Sequence, residues 1–295
     1  MGIELKINVP LNILVQRRAA IGDVIMSTGV VRELKKQYGN NANIDIATDY
    51  GEVYRNNPHI RNVFPVDQVP PANNRYDLYI NLDDAYENNP DNHYIDNFFY
   101  RAFGSTEFDR SVELFPTDDD KALVDKDIAE IDSPYIVVHL RNWNWQAKNI
   151  SMDVWFDVFA KLFETRTDFK VVCVGGGQDQ FVDHPLFVDL RGKYTNQQLK
   201  HLCESARCFV GIDSGPYWCA AASDTTIIAL LTHLLPERIV PFVERAHWIQ
   251  TLEDCAGCND HQARPVRQVV CKKTDYPCVN NFDTANIALK ILGTL

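Results

Sequence analysis

The sequence predicts an α/β protein made of two Rossmann-like halves that face a central cleft. Short apolar segments alternate with amphipathic helical ones, and this alternation runs twice, broken by an acidic stretch near residue 120. The length of 295 residues suits two domains of about 100–200 residues each. A chain that is 45% hydrophobic and 23% charged sits near the globular average, which excludes disordered, collagen-like and fibrous classes. The longest apolar runs, such as Ile227 to Leu231, are too short to span a bilayer. Met1 to Pro10 shows no basic stretch ahead of an apolar one, so no signal peptide is expected and the expected compartment is the cytoplasm.

The first half, residues 1–116, opens with a strand from Leu11 to Arg17 that carries β-branched Ile13 and Val15. Val24 to Tyr38 repeats apolar residues at helical spacing and closes with Lys35, Lys36 and Gly39, a helix C-terminal signature. Asn43 to Thr48, Asn62 to Val66 and Leu78 to Leu82 read as further strands. Thr117 followed by three aspartates is a helix N-cap with first-turn acids, and residues 117–134 read as the connection between halves.

The second half, residues 135–281, restarts with a strand from Tyr135 to Leu140, a helix from Met152 to Thr165 and a strand from Lys170 to Val174. A helix from Asn196 to Ser205, a strand from Cys208 to Ile212, a helix from Tyr217 to Ser223 and an apolar strand from Thr226 to Leu231 follow.

Four segments carry candidate chemistry at strand ends, where open α/β sheets bind ligands. Asp23 follows Gly22 at the first strand-to-helix turn, as a general base or as a plain helix cap. His139, Arg141 and Lys148 follow the strand from Tyr135 and offer positive charge for a diphosphate, or form a solvated loop with Trp143 and Trp145. Gly176, Gly177 and Asp179 belong to a glycine turn that lets amides approach a ligand, although it is neither GxGxxG nor a GKS/GKT loop. Asp213, Ser214 and Gly215 precede Pro216 at a strand-to-helix junction, either an anion site or an ordinary cap.

Charge and cysteines bound the partners. With 29 basic and 40 acidic residues the net charge is −11, which weighs against wrapping nucleic acid. A basic stretch with Arg264, Arg267, Lys272 and Lys273 is the local exception. Of eight cysteines, Cys173, Cys203, Cys208 and Cys219 lie in apolar periodic segments and read as buried hydrophobes. Cys255, Cys258, Cys271 and Cys278 are compatible with a tetrahedral structural zinc site, with free thiols or with disulfides.

Several of these segments occur in the order seen in one family. The chain resembles glycosyltransferase family 9, the ADP-heptose:lipopolysaccharide heptosyltransferase-like group. The matching segments are Ile21-Gly22-Asp23-Val24, Asn57-Pro58 through Val63, Lys148 with Trp155, Gly175-Gly176-Gly177-Gln178-Asp179, Asp189-Leu190-Arg191-Gly192-Lys193 and Val210 through Pro216. Trp218 stands where many members carry histidine. The resemblance implies a GT-B fold and an inverting, metal-independent transfer from an ADP- or UDP-sugar. It implies Asp23 as base, Lys148 at the diphosphate, and Asp213, Ser214 and Gly215 at the diphosphate and sugar. It also implies that the closing segment, residues 282–295, is a helix crossing back to the first half.

The expected acceptor is a glycan hydroxyl such as that of a lipopolysaccharide core. A hydroxylated DNA base is the alternative acceptor, and a non-catalytic sugar-nucleotide binder the alternative class. Retention of Asp23 and Lys148 favours the enzyme, since a binder has little use for a base. A dinucleotide-dependent oxidoreductase is disfavoured, since no Rossmann fingerprint follows a strand.

Overall fold

Each strand pairing in the computed structural model is parallel, as alternating strands and crossover helices require. The structure describes residues 10–69, 75–89, 91–143, 145–258 and 270–295. In the first half, β1 (Leu11–Gln16) leads through α1 (Ile21–Tyr38) to β2 (Ala42–Ala47), β3 (Asn62–Phe64) and β4 (Leu78–Asn81). The sheet order is β3-β2-β1-β4. Helix α2 (Tyr94–Phe103) and helix α3 (Asp118–Ile131) follow.

The second half contains β5 (Tyr135–Val138), α4 (Met152–Thr165), β6 (Lys170–Cys173), β7 (Phe187–Asp189), α5 (Asn196–Glu204), β8 (Cys208–Gly211) and α6 (Gly215–Ala221). It continues with β9 (Thr226–Leu231), α7 (Pro236–Ile239), β10 (Ala246–Gln250) and α8 (Thr284–Leu292). Its sheet runs β10-β9-β8-β5-β6-β7, the doubly wound order with β5 as its first strand.

Both faces of the central strands β5, β8 and β9 are buried, so these strands are apolar almost throughout rather than alternating. Ile136 and Val138 point to one core, shared with Val158, Leu162 and Ile287 of α4 and α8. Tyr135 and Val137 point to the other, which is continuous with the core of the first half. Ile227, Ala229 and Leu231 of β9 join this second core, while Ile228 and Leu230 face α4 and α8.

Between the halves, the Thr117 hydroxyl accepts from the Asp120 amide at 3.1 Å and starts α3 as expected. Helix α3 lies against α5, with Asp127 bound to Lys193 and to the Tyr194 hydroxyl. Arg55 of the first half donates to both oxygens of Asp120 at 2.9 Å. The fully buried Gln197 donates to the Val53 carbonyl at 2.9 Å.

Four elements escape the sequence reading: α2, β7, α7 and β10. Strands of three to five residues and a one-turn helix are too short to establish a period. The closing helix corrects an expectation. Instead of crossing to the first half, α8 packs on α4, and Thr284 donates to Asp157 at 2.5 Å. Its buried residues Ile287, Ala288 and Ile291 supply one apolar stripe that matches the α4 face.

Ile291→Ala is therefore expected to cost about 2–4 kcal/mol, the scale of a fully buried aliphatic deletion. Urea unfolding of the whole chain checks this, and a loss below about 0.5 kcal/mol would mean that α8 is not part of the second core.

Candidate active site

In each sheet, two neighbouring strands send their following chain in opposite directions, and the crevice between them is the natural ligand site. In the first sheet these are β1 and β4, and in the second β5 and β8. The carboxyl ends of both pairs line one cleft of about 1500 Å³. Arg17, Asp23, Tyr86 and Glu87 come from the first wall. His139, Arg141, Lys148, Asp179, Asp213, Ser214 and Gly215 come from the second.

Asp23 sits in the first turn of α1 with little exposure. Its Oδ2 accepts from Arg17 at 2.7 Å and from the Ala20 amide at 2.8 Å. It thus caps the helix, as one reading of the sequence held. The other oxygen, Oδ1, has only the Tyr86 hydroxyl at 3.3 Å among the described residues. Arg17 is 4% exposed and also donates to the Leu82 carbonyl at 3.0 Å. Burial alone would lower its pKa, but Asp23, Tyr86 and Glu87 more than offset that and hold it above the ordinary value. Burial also pushes Glu87 up, against the pull of Arg17.

On the second wall, Lys148 donates to Asp213 Oδ2 at 2.5 Å and to the Asp213 carbonyl at 3.2 Å. The Trp218 indole N–H donates to the other carboxylate oxygen at 3.0 Å. Burial would raise the Asp213 pKa, yet Lys148 and Trp218 hold it below the usual range. Trp218 also meets the first wall. A Cβ added to Gly22 would lie 2.7 Å from its Cδ1, so only glycine fits where α1 approaches α6.

A second network joins the loops after β5, β6 and β8. Asp179 accepts from the Gly176 amide at 2.6 Å and from the Asn142 amide at 2.8 Å. It also accepts from His139 Nε2 at 3.1 Å, and His139 Nδ1 lies 3.0 Å from the Ser214 hydroxyl. Since a carboxylate only accepts, His139 carries a proton on Nε2. Burial would raise Asp179, but His139 and the two amides hold it low.

These contacts revise the site expected from sequence. The carboxylates of Asp179 and Asp213 are engaged within the protein and brace His139 and Lys148. The Gly176 amide is directed to Asp179 rather than to a ligand. Gly175 is the glycine the turn requires, with φ of +120° and no room for a Cβ beside Asp179 and His139. Ser214 does not cap α6 with its side chain, because its hydroxyl faces His139.

Arg141 buries its Nε without a hydrogen-bond partner among the described residues. Burial lowers its pKa against the opposing pull of Asp213 and Asp179. The sequence reading missed Arg17, Tyr86, His233 and the roles of Trp145 and Trp218. A signal existed for Arg17, a cation at a strand end six residues before Asp23.

Cys255, Cys258 and Cys271 line a separate pocket of about 300 Å³. Burial, followed by the charges of Cys258, Cys255 and Cys271, pushes the Cys278 thiol up to about 12. All four are free thiols, so the disulfide reading drops out. Of the basic stretch, Arg264 and Arg267 lie outside the described residues. Lys273 is bound to Glu253 and Asp254.

Two parallel α/β sheets facing one another across such a cleft define the GT-B class of fold. The sequence model of glycosyltransferase family 9 (heptosyltransferase) matches residues 73–266, about two thirds of the chain. The chain belongs to this family and is a glycosyltransferase. The match holds the whole second wall but begins after Asp23.

A glycosyl transferase family 9 protein from Veillonella parvula DSM 2008 is similar in structure, with TM-score 0.70, 14% identity and coverage of 97% of this chain and 98% of that one. The E. coli ADP-heptose lps heptosyltransferase II gives TM-score 0.63, 16% identity and coverage of 83% and 92%. The dodecameric iron-containing heptosyltransferase TibC, in complex with ADP-D-beta-D-heptose, gives 0.69, 14% identity and coverage of 97% and 77%. No curated protein matches the sequence. No helix among the described residues is long and apolar enough to cross a membrane.

Asp213→Asn leaves Lys148 without its counter-charge and is expected to cost about 3 kcal/mol at pH 7. Because the folded pKa of Asp213 lies below its unfolded value, the carboxylate's contribution is complete above that unfolded value of about 3.9. It is lost as pH falls through the lower folded pKa. Urea unfolding should show a constant gap between wild type and variant from pH 7 to 5 that narrows below about pH 4.

Proposed function

We propose that this glycosyltransferase moves a sugar, heptose or a related one, with inversion from an ADP- or UDP-linked donor to a hydroxyl of a glycan acceptor. The observation that carries the reading is the opposition of Asp23 on one wall to Lys148 and Arg141 on the other, across one cleft. An inverting transfer needs a base behind the attacking hydroxyl and positive charge at the departing diphosphate on the far side.

Asp23 Oδ1 takes the acceptor proton, while Arg17 and the Ala20 amide fix the carboxylate through Oδ2. A positioned base contributes roughly 10²–10⁴ in rate. Lys148 has three donors and gives two of them to Asp213, leaving the third for the diphosphate. Arg141 brings a guanidinium whose Nε is unpartnered among the described residues and whose edge suits a phosphate. The Ser214 hydroxyl and the Gly215 amide at the start of α6 complete the anion pocket, whereas Gly177, expected there from sequence, is not among the residues that line the cleft. Each such donor typically contributes about 3 kcal/mol to the developing charge. These cations meet the leaving group's charge in a metal-independent transfer.

A glycan such as a lipopolysaccharide core fits as acceptor better than a polyanion such as DNA with a hydroxylated base. The net charge is −11, and Lys273 of the basic stretch is already neutralised by Glu253 and Asp254.

Away from the cleft, Cys255, Cys258, Cys271 and Cys278 are four sulfur ligands of the kind that tetrahedral zinc or the iron named for TibC takes, while the cluster whose ligand atoms lie within 4.8 Å of one another among the described residues is Glu253, Asp254 and Cys255. A bound cation would hold these sulfurs as thiolates, a form that burial disfavours at Cys278 without one. That ion would brace the segment outside the catalytic cleft.

Two experiments test these readings. Asp23→Asn is expected to lower transfer by 10²–10⁴ while leaving nucleotide affinity within about twofold. Full activity in that variant would remove Asp23 as the base. Metal analysis of the purified chain is expected to give about one zinc or iron per chain, with Cys258→Ser losing both the metal and thermal stability. A metal-free chain whose melting is indifferent to chelator would remove the thiolate site.

A further inference from the structure

One part of the cleft wall holds polar atoms that the transfer mechanism does not use. His233 follows the end of β9, beside β8 and the Asp213 loop, and is 2% exposed. Among the described residues its Nε2 is buried without a partner. Trp145 lies in the loop before Lys148, and its indole N–H is also buried without a partner among those residues. Both residues line the cleft. The two rings are 5.5 Å apart between centroids, tilted by 41°. Lys148 Nζ sits 4.8 Å from the Trp145 ring centroid.

The hydrogen bonds around His233 fix its tautomer. The Thr232 hydroxyl lies 2.5 Å from the Ala147 carbonyl and 3.0 Å from His233 Nδ1. A hydroxyl has one proton and a carbonyl only accepts, so Thr232 donates to Ala147. Thr232 must then accept from His233 Nδ1–H. Burial and the nearby Lys148 lower the His233 pKa to about 3, so the ring is neutral. Its single proton is on Nδ1, and Nε2 is a bare acceptor. Trp145 Nε1–H is the complement, since an indole only donates.

A ligand atom served by both must accept a hydrogen bond and donate one. A phosphate oxygen ionised at neutral pH only accepts, and so does a carbonyl. A hydroxyl does both through a single oxygen. At about 2.9 Å to each nitrogen, one oxygen bridges nitrogens up to about 5.8 Å apart, and the two rings that carry these nitrogens have their centroids 5.5 Å apart. We propose that Trp145 and His233 form a hydroxyl-reading subsite for the donor sugar, beside the Lys148–Asp213 pair that meets the diphosphate. This rests on the sugar-nucleotide reading above and names the part of the sugar that the site requires: a free hydroxyl next to the diphosphate pocket. Substituents that cannot donate a proton are rejected there.

The test is calorimetric binding to the full chain of ADP beside ADP-heptose, and UDP beside UDP-glucose. Wild type, His233→Phe, His233→Gln and Trp145→Phe are compared. Wild type should prefer one sugar nucleotide over its bare nucleotide by about tenfold or more. His233→Phe and Trp145→Phe should each erase roughly tenfold of that preference and leave the bare nucleotide's affinity within about twofold. His233→Gln, which keeps an acceptor, should retain most of it. An unchanged sugar preference in His233→Phe and Trp145→Phe, with nucleotide binding intact, overturns the subsite alone. If both ring variants lose nucleotide binding, His233→Gln decides: loss of sugar preference there despite its acceptor overturns the subsite, and retention supports it. No binding of either nucleotide or either conjugate to wild type overturns the sugar-nucleotide reading and the subsite with it.

Discussion

The Trp218 indole is the contact on which the two-walled cleft depends. It holds Asp213 with its N–H, and Asp213 holds Lys148. The same ring packs where the first turn of α1 arrives, so close that residue 22 has no space for a side chain. A fully buried aromatic at this junction ties the position of the diphosphate-side cation to the turn that presents Asp23. An indole only donates and does not titrate. Its hold on Asp213 is therefore constant across the pH range where histidine would change state.

Charge in the cleft is arranged as local pairs rather than as one field. Arg17 answers Asp23 and Glu87 on the first wall, and Lys148 answers Asp213 on the second. His139 and Asp179 form a further pair. Each pair is desolvated, and pairing of this kind yields little net stability. What it supplies is orientation: a carboxylate turned to leave one oxygen to the cleft, and an ammonium held at a fixed height. Among the described residues Arg141 Nε has no hydrogen-bond partner, which leaves it for an anion that arrives.

Much of this was readable in the residues, and the limits have physical causes. Period and turn chemistry located α1, α4, α5 and the apolar strands, because burial imposes those patterns directly. Asp23, Lys148 and Ser214 stood out because strand ends in parallel sheets are where side chains meet ligands. The partners of those residues were hidden: Trp218 to Asp213 is a contact five residues along, but Arg17 to Tyr86 and His139 to Asp179 join segments far apart. Asp179 and Gly176 were read as facing a ligand since spacing alone cannot tell a bound amide from a free one. The docking of α8 on α4 was missed for a related reason. An apolar stripe shows that a helix is buried, and only the surrounding faces decide against what.

The same distinction explains why His233 carried no signal. A histidine two residues beyond an apolar strand is ordinary in sequence, and its tautomer follows only from Thr232 and the Ala147 carbonyl. An unpaired buried polar atom costs on the order of 1–3 kcal/mol. Among the described residues, Arg141 Nε, Trp145 Nε1 and His233 Nε2 bring three such atoms to one wall. That cost persists in the free protein and is relieved when a ligand supplies the missing partners, so the binding free energy regained there depends on the ligand's own donors and acceptors. The stability given up in this wall is thus what makes the cleft selective, while the two apolar cores on either side of the second sheet keep the fold intact.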